Sequence, residues 1–369
     1  MACRFAIPAA FLALPLLSVG CGDYPALPDV IVHSGQSIQQ ALDQMPASVD
    51  SWLIKVRPGV YKETLSVDRL GVTLMGEVTG TGPEDRPVLD GSLDGGKLRK
   101  DAVIVSGPHF TMSGFTVRSY SGNGVTTTKT HHLTLRDLQM DNTGRYGLYP
   151  VESEDILIED CVASNISDAG IYVGQSKRAT VRRNKVFANV AGLEIENTVE
   201  ALVEENEAYD NTTGLLAFVL PNNPSKVGKD CTFRNNKIHD NNHVNFGDPT
   251  AIVSKLSPGI GVFIMAADNT VVQNNDIRNN NSLGLGIVGL GLLLGDTKGL
   301  DVEPNSDTTQ VRNNTYTSNG KQPDAVYKSF GFPGGDILWD GTGAGNCIDE
   351  SQDDTLVKVA VAVALPRCK

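Results

Sequence analysis

Short runs of alternating apolar and polar residues recur along the chain, each opened by a glycine. Gly124, Gly147 and Gly170 stand 23 residues apart, and Gly192 and Gly214 continue at a spacing of 22. Each run is followed by a second pattern, in which an apolar residue, two polar residues and an Asn are answered by another Asn five positions on. It reads Val181-Arg182-Arg183-Asn184 with Asn189, Val203-Glu204-Glu205-Asn206 with Asn211, and Phe233-Arg234-Asn235-Asn236 with Asn241. Val272-Gln273-Asn274-Asn275 with Asn280 and Val311-Arg312-Asn313-Asn314 with Asn319 complete the series. In the two preceding units, Leu135 to Asn142 and Ile158 to Asn165, the segment is one residue shorter and Leu138 and Cys161 replace the first Asn.

A unit of about 22 residues accommodates three short strands and three turns, and it cannot bury its own apolar face. Stacking the units pairs every strand with its counterpart one coil on, roughly 4.8 Å away. The expected fold is therefore all-β, a right-handed parallel β-helix. Asn suits its corners, because it tolerates the left-handed backbone region and its amide can bond to the Asn above and below. Ser37-Ile38-Gln39-Gln40-Ala41-Leu42 opens with a helix N-cap signal, which predicts a helix covering the first coil's exposed edge. The expected organisation is a signal segment over 1–20, a linker over 21–30, the β-helix over 31–345 and a C-terminal capping segment over 346–369.

Leu53-Ile54-Lys55-Val56-Arg57-Pro58-Gly59-Val60-Tyr61 and Gly71-Val72-Thr73-Leu74-Met75-Gly76 resemble the entry coils of pectate-lyase-like β-helices. From Gly147 to Asn319 the chain resembles the bacterial parallel β-helix repeat proteins exported as lipoproteins, most closely at Gly170-Ile171-Tyr172-Val173-Gly174-Gln175-Ser176 and Gly192-Leu193-Glu194-Ile195-Glu196-Asn197. That resemblance implies a fold and a compartment and brings no reaction with it. Tyr146-Gly147-Leu148-Tyr149-Pro150 resembles the Tyr-Gly-x-Asp-Pro-His signature of mannuronan C5-epimerases. Tyr146, Gly147 and Pro150 match, whereas Tyr149 and Val151 replace the Asp and His that do the acid–base work in that signature. The epimerase mechanism cannot run at this place, and the match speaks for ancestry.

The ends of the chain add a compartment. Arg4 precedes an apolar stretch from Phe5 to Leu17, then Ser18-Val19-Gly20-Cys21, the form of a cleaved bacterial lipoprotein signal with Cys21 as the lipidated residue. Ser18 stands where that signal usually has Leu, which leaves ordinary secretion open. The expected location is periplasmic or at the cell surface, lipid-anchored to a bacterial membrane and touching it only through that anchor. Of six cysteines, Cys347 and Cys368 flank the final segment and are expected to form a disulfide in an oxidising compartment, whereas Cys161 and Cys231 sit in strand-like repeats as small buried residues. A formal charge of −12 argues against nucleic acid as partner, since phosphate binding needs clustered Lys and Arg.

Three coils exceed the regular length, by insertions at about Pro221 to Asp230, His243 to Ile260 and Gly289 to Asp307. All three flank the strand that begins at the repeated Gly, and insertions in a solenoid are where function concentrates. They either fold back over an apolar patch or wall a binding groove. If the residue after each Gly points inward, the outward set is Tyr149, Tyr172, Glu194, Glu196, Leu216, Phe218, Phe263 and Met265. Glu194 and Glu196 share one face of one strand, and two partly buried carboxyls can have their pKa values driven apart into an acid and a base. They are the candidate catalytic residues; Tyr149, Tyr172, Phe218, Phe263, Met265 and Arg182 are the candidate substrate contacts, Arg182 as part of a basic coil with Lys177, Arg178 and Arg183. His131-His132 and the pair His239 and His243 read as surface residues, and no metal site is expected. No motif calls for a cofactor, and a bound calcium ion is compatible with the chain. The function expected is binding, and as an enzyme processing, of a uronate-type polysaccharide by a lyase or epimerase reaction, by a monomer. The alternative is a non-catalytic module that docks a second exported protein through the same strip.

Overall fold

A computed structural model describes residues 27–93, 96–98, 100–349 and 365–369. The signal segment with Cys21 lies outside the described residues. Among those described, the strands form three parallel sheets of 12, 10 and 10 members, joined coil by coil, together with one small antiparallel pair. No described helix is long and apolar enough to cross a membrane. The predicted N-terminal helix is present at Ile38–Asp43, where Ser37 accepts a hydrogen bond from the Gln40 amide and Ile38, Ala41 and Leu42 are buried against the first coil. The chain is thus an all-β, right-handed parallel β-helix with an N-terminal capping helix.

Register follows the sequence period. Ile171 pairs with Leu193, Leu193 with Leu215 and Leu215 with Val262, all fully buried in the core that runs along the axis. The corners are sharper than the repeat alone suggests. The residue just before each first Asn (Arg183, Glu205, Asn235, Asn274, Asn313) has φ between 50° and 57° and takes the left-handed turn. The ladder Asn residues that follow do not. They point into the stack, where Nδ2 of Asn184, Asn206, Asn236 and Asn275 donates in turn to Oδ1 of the next ladder Asn at 2.8–3.0 Å. A second ladder runs from Asn189 through Asn211, Asn241 and Asn280 to Asn319 at 2.9–3.1 Å. The expectation that the repeated Asn itself supplies the left-handed corner is corrected. The preceding position does so, and the Asn is kept for its amide. A third ladder, of Thr130, Ser153, Ser176 and Thr198, lines the remaining corner with hydroxyl acceptors for backbone amides.

At the far end Cys347–Ile348 adds the last strand to the first sheet, and Cys347 is bonded to Cys368 across 21 residues. Ile348 and the returning chain exchange backbone bonds at 2.8 and 2.9 Å with Pro366 and Cys368. Closing a loop of this length contributes about 3 kcal/mol. Reduction is therefore expected to speed hydrogen exchange at residues 347–348 and 367–368 while leaving the central strand Ala191–Glu196 protected. Uniform loss of protection along the chain would contradict a merely local clamp. Cys161 and Cys231 are free and buried, their thiols pushed up to about 12 by loss of solvent.

Candidate functional site

Alternation on the strands Ala169–Gly174, Ala191–Glu196, Thr213–Phe218 and Ile260–Met265 sends the residues after each Gly into the axial core and their neighbours outward. Two outward rows result, since strand register stacks like positions of successive coils. In one, Tyr172, Glu194, Leu216 and Phe263 are neighbours; in the other, Gly174, Glu196, Phe218 and Met265. Outward does not mean exposed here. Tyr172, Glu194 and Leu216 retain only 3–4% of their surface, and the strip forms its own apolar cluster with Tyr146, Tyr149, Leu290 and Val302.

The cover comes from the three predicted insertions and from a fourth. After Phe218 the chain loops across the strip through Asn223, and Ile252–Lys255 forms a 3-10 turn before the strand Ile260–Met265. After Val288 comes the short helix Gly291–Leu294. The fourth, bearing the helix Ala325–Ser329, brings Tyr327 and Phe332 to the edge. The insertions both cover and enclose, leaving a cavity of about 420 Å³ over the strip. That is a small-ligand volume with a mostly apolar wall and a few converging polar groups.

Three of those polar groups are carboxyls, and Arg145 and Lys255 are on the lining with them. Glu194 and Glu196 were legible by alternation; Asp168 was not. It lies one coil below, two residues before Gly170, at a position where later coils have Val190 and Thr212. A charge at that otherwise apolar or hydroxylated position was the available signal, and Arg145 repeats it one coil earlier. Glu196 Oε2 accepts from the Tyr172 hydroxyl at 2.9 Å and Oε1 from Asn223 Nδ2 at 2.5 Å. Asn197 fixes that arrangement by holding the loop, donating to the carbonyls of Leu220 and Ser225 and accepting from the Leu220 amide. Tyr172 bends back along its own strand, and a Cβ at Gly174 would stand 2.2 Å from its hydroxyl, so only glycine leaves room. Tyr146, Tyr149 and Tyr172 pack with ring centroids 4.4–4.9 Å apart.

Burial dominates the electrostatics. It raises Glu194 well above the usual carboxylate range, with the Asp168 and Glu196 charges pushing the same way. It also raises Glu196, with the Tyr172 and Asn223 hydrogen bonds opposing. Asp168 is pushed up to about 7 by burial, partly offset by the Tyr146 hydroxyl and by Arg145. The three phenols are raised in turn, by burial first and by the carboxylates second, so they remain donors. Three carboxyls in one apolar cavity cannot all be ionised, so they share protons at neutral pH. A group that titrates near neutrality can both take up and deliver a proton there.

Of the sequence-predicted contacts, Tyr149, Tyr172, Phe218, Phe263 and Met265 come together with Glu194 and Glu196 on this strip. Arg182 does not. It closes the strand Lys177–Arg182 of a different sheet, where it and Arg136 and Arg183 surround the buried carboxylate of Glu159. Burial would raise Glu159, and the three guanidinium groups hold it low instead. The chain turns a corner between Gly174 and Lys177, which carries the basic coil off the strip, and there Arg178 binds Glu154 and Asp155.

The fold has relatives among solved structures. The A-module of the mannuronan C-5 epimerase AlgE6 of Azotobacter vinelandii superposes with a TM-score of 0.59 at 18% identity, over 89% of this chain and 92% of that one. An alginate lyase from Paenibacillus sp. gives 0.54 at 16% identity over 85% and 99%. The DFA-IIIase of Arthrobacter chlorophenolicus gives 0.57 at 13% over 87% and 84%. At such identities the likeness is one of fold. No curated protein matches the chain in sequence. The model of the right-handed β-helix region matches residues 97–212 and 204–343, most of the described helix. By that match the chain belongs to the right-handed β-helix region family.

Proposed function

We propose that this is an exported protein, anchored through a lipid on Cys21, that binds a short stretch or an end of an acidic polysaccharide in the cavity over the strip and moves protons on it. The observation that carries the reading is the convergence of Asp168, Glu194 and Glu196 on a mostly apolar cavity, with Tyr146 on its wall and Tyr149 and Tyr172 packed against that ring. Aromatic faces suit the apolar faces of sugar rings. Carboxyls kept protonated by burial can donate to a sugar carboxylate, and Arg145 and Lys255 on the lining supply positive charge for it. Removing the proton beside a sugar carboxylate needs a base within hydrogen-bond reach and a neutralised carboxylate, and Asp168, pushed up to about 7, is such a base in its ionised fraction. Return of the proton on the other face gives epimerisation; loss of the glycosidic oxygen gives elimination. Two of the three structural neighbours bear names that denote mannuronan or alginate, both uronate polymers, which agrees with a uronate ligand.

The test is calorimetric titration with oligomannuronate, oligoguluronate and oligogalacturonate against a neutral oligosaccharide. Saturable binding of one acidic oligomer is expected, weakened about tenfold by Tyr146→Ala as the stacking contact on the cavity wall is lost. Indifference to every acidic oligomer, with an exported protein co-purifying instead, would favour the docking module. That alternative has less to stand on, because Tyr172, Leu216, Phe218 and Met265 lie under the chain's own loops.

A further inference from the structure

Half of the chain's six histidines meet at one corner, far from the cavity in chemistry and on a different turn. His109 and His132 fall at the same register position of successive coils, as the pairing of Thr111 with Thr134 requires, and His131 stands beside them. The spacing of 22 and 23 residues is one coil. One ring nitrogen from each of the three lies within 4.8 Å of the others, and the ring centroids are 4.5–5.2 Å apart. All three side chains are exposed, so their rings are free to turn.

The backbone beneath them is not free. His109 and His132 both take the left-handed conformation, with φ of 56° and 55°, and the His109 amide donates to the His131 carbonyl at 2.9 Å. The row continues with Asp155 and Arg178, both at φ 55°. Oδ2 of Asp155 is 3.7 Å from His132 Nδ1, while its Oδ1 accepts from Arg178 Nε at 2.7 Å. Three imidazoles fixed at their bases, with an oriented carboxylate behind one of them, make a nitrogen donor set with its outer support.

We infer that His109, His131 and His132 bind a divalent first-row transition ion of the zinc class across two coils. Zinc holds imidazole nitrogens at about 2.0–2.1 Å, which in a tetrahedron puts them roughly 3.4 Å apart, so the three rings close by about 1 Å through side-chain rotation alone. Neutral imidazoles select such ions over calcium or magnesium, which take oxygen ligands. The fourth position stays open to water. The bound ion adds a side-chain tie between two coils already joined by the His109–His131 backbone bond, and Asp155 faces the His132 ring from the next coil.

The full-length mature protein without a purification tag is titrated with ZnCl2 by calorimetry, with CaCl2 and MgCl2 as controls, and its melting temperature is followed with and without zinc. One zinc per chain is expected, with a rise in melting temperature and no response to the other two ions. His109→Asn and His132→Asn are the variants of choice, since Asn keeps the left-handed backbone and the fold with it. Each is expected to weaken zinc binding by about tenfold or more. His239→Asn combined with His243→Asn should leave it unchanged. Zinc that binds no more tightly than calcium, affinity that survives both His109→Asn and His132→Asn, or affinity lost in the His239 and His243 variant would each overturn the site.

Discussion

Asp168→Asn is expected to cost about 100-fold or more in any proton-transfer turnover at the cavity and, in the same protein, to raise stability at alkaline pH. The second effect follows from linkage. Asp168 titrates at about 7 in the folded chain and near 3.9 when unfolded. Below about pH 4 both states hold the proton, and the group leaves the balance unchanged. Between about 4 and 7 the unfolded chain releases it while the native chain keeps it, so the native state binds more protons and stability falls as pH rises. Above about 7 the loss is complete, on the order of 2–4 kcal/mol for a shift of this size in a buried group. Glu194 and Glu196 are raised too and add to the same slope. Carboxylates held low, such as Glu154 and Asp155 beside Arg178, act oppositely. Their stabilisation is present above the unfolded pKa and is lost only as pH falls through their own lower values.

Denaturant midpoints of the wild type should therefore decline from about pH 5 to about pH 8, and those of Asp168→Asn should decline less and end higher at the alkaline end. A protein built only for stability would not bury three carboxyls together, so a gain on removing one is the signature of a site retained for chemistry. If the variant declines as steeply as the wild type, the carboxyl is already ionised at neutral pH and cannot serve as the acid.

The second large effect concerns two adjacent and identical side chains. Asn275→Ala is expected to lower stability by about 3–5 kcal/mol, and Asn274→Gly by no more than about 0.5 kcal/mol. Asn275 is 2% exposed; its Oδ1 accepts from the Asn236 amide and side chain, and its Nδ2 donates to the Phe233 carbonyl and Asn314 Oδ1. Truncation leaves buried groups in the two flanking coils short of partners, each costing about 1–3 kcal/mol before relaxation. Asn274 is exposed at φ 56°, a conformation glycine adopts without strain. Denaturant midpoints of the two variants separate these roles. Equal effects would mean that the ladder is no stronger than the corner.

That pair also marks where the one-dimensional pattern stops. The Val-x-Asn-Asn signature announces a stacked corner, and its period is enough to give the coil length, because only residues one coil apart can form a continuous ladder. Which Asn turns and which bonds depends on the direction each Cα–Cβ bond takes at the corner, and the string of letters does not carry it. The outward strip was legible for a similar reason. Strand alternation has a period of two, so one assumption about the residue after Gly170 assigns Tyr172, Glu194, Glu196 and Phe218 together.

Asp168 escaped because it lies just outside the strand, where alternation no longer applies and a loop residue is expected to be wet. Arg182 was misassigned because neighbours in sequence were taken as neighbours in space, although a corner at Gln175 and Ser176 separates the sheets. The histidine corner shows the reverse case. His109 is 22 residues from His131, too far for a local metal motif, yet one coil in this fold makes them adjacent.

The sequence by itself determined the stacked solenoid, its coil length, its helical cap and the face on which its insertions gather, because all of these follow from periods that repeat. Only the tertiary structure decided that the insertions close over the strip into a cavity, that three carboxyls lose their water together there, and that Arg182 serves Glu159. Those outcomes depend on which loop packs on which coil, and desolvation is a property of the assembled surroundings that no single residue encodes.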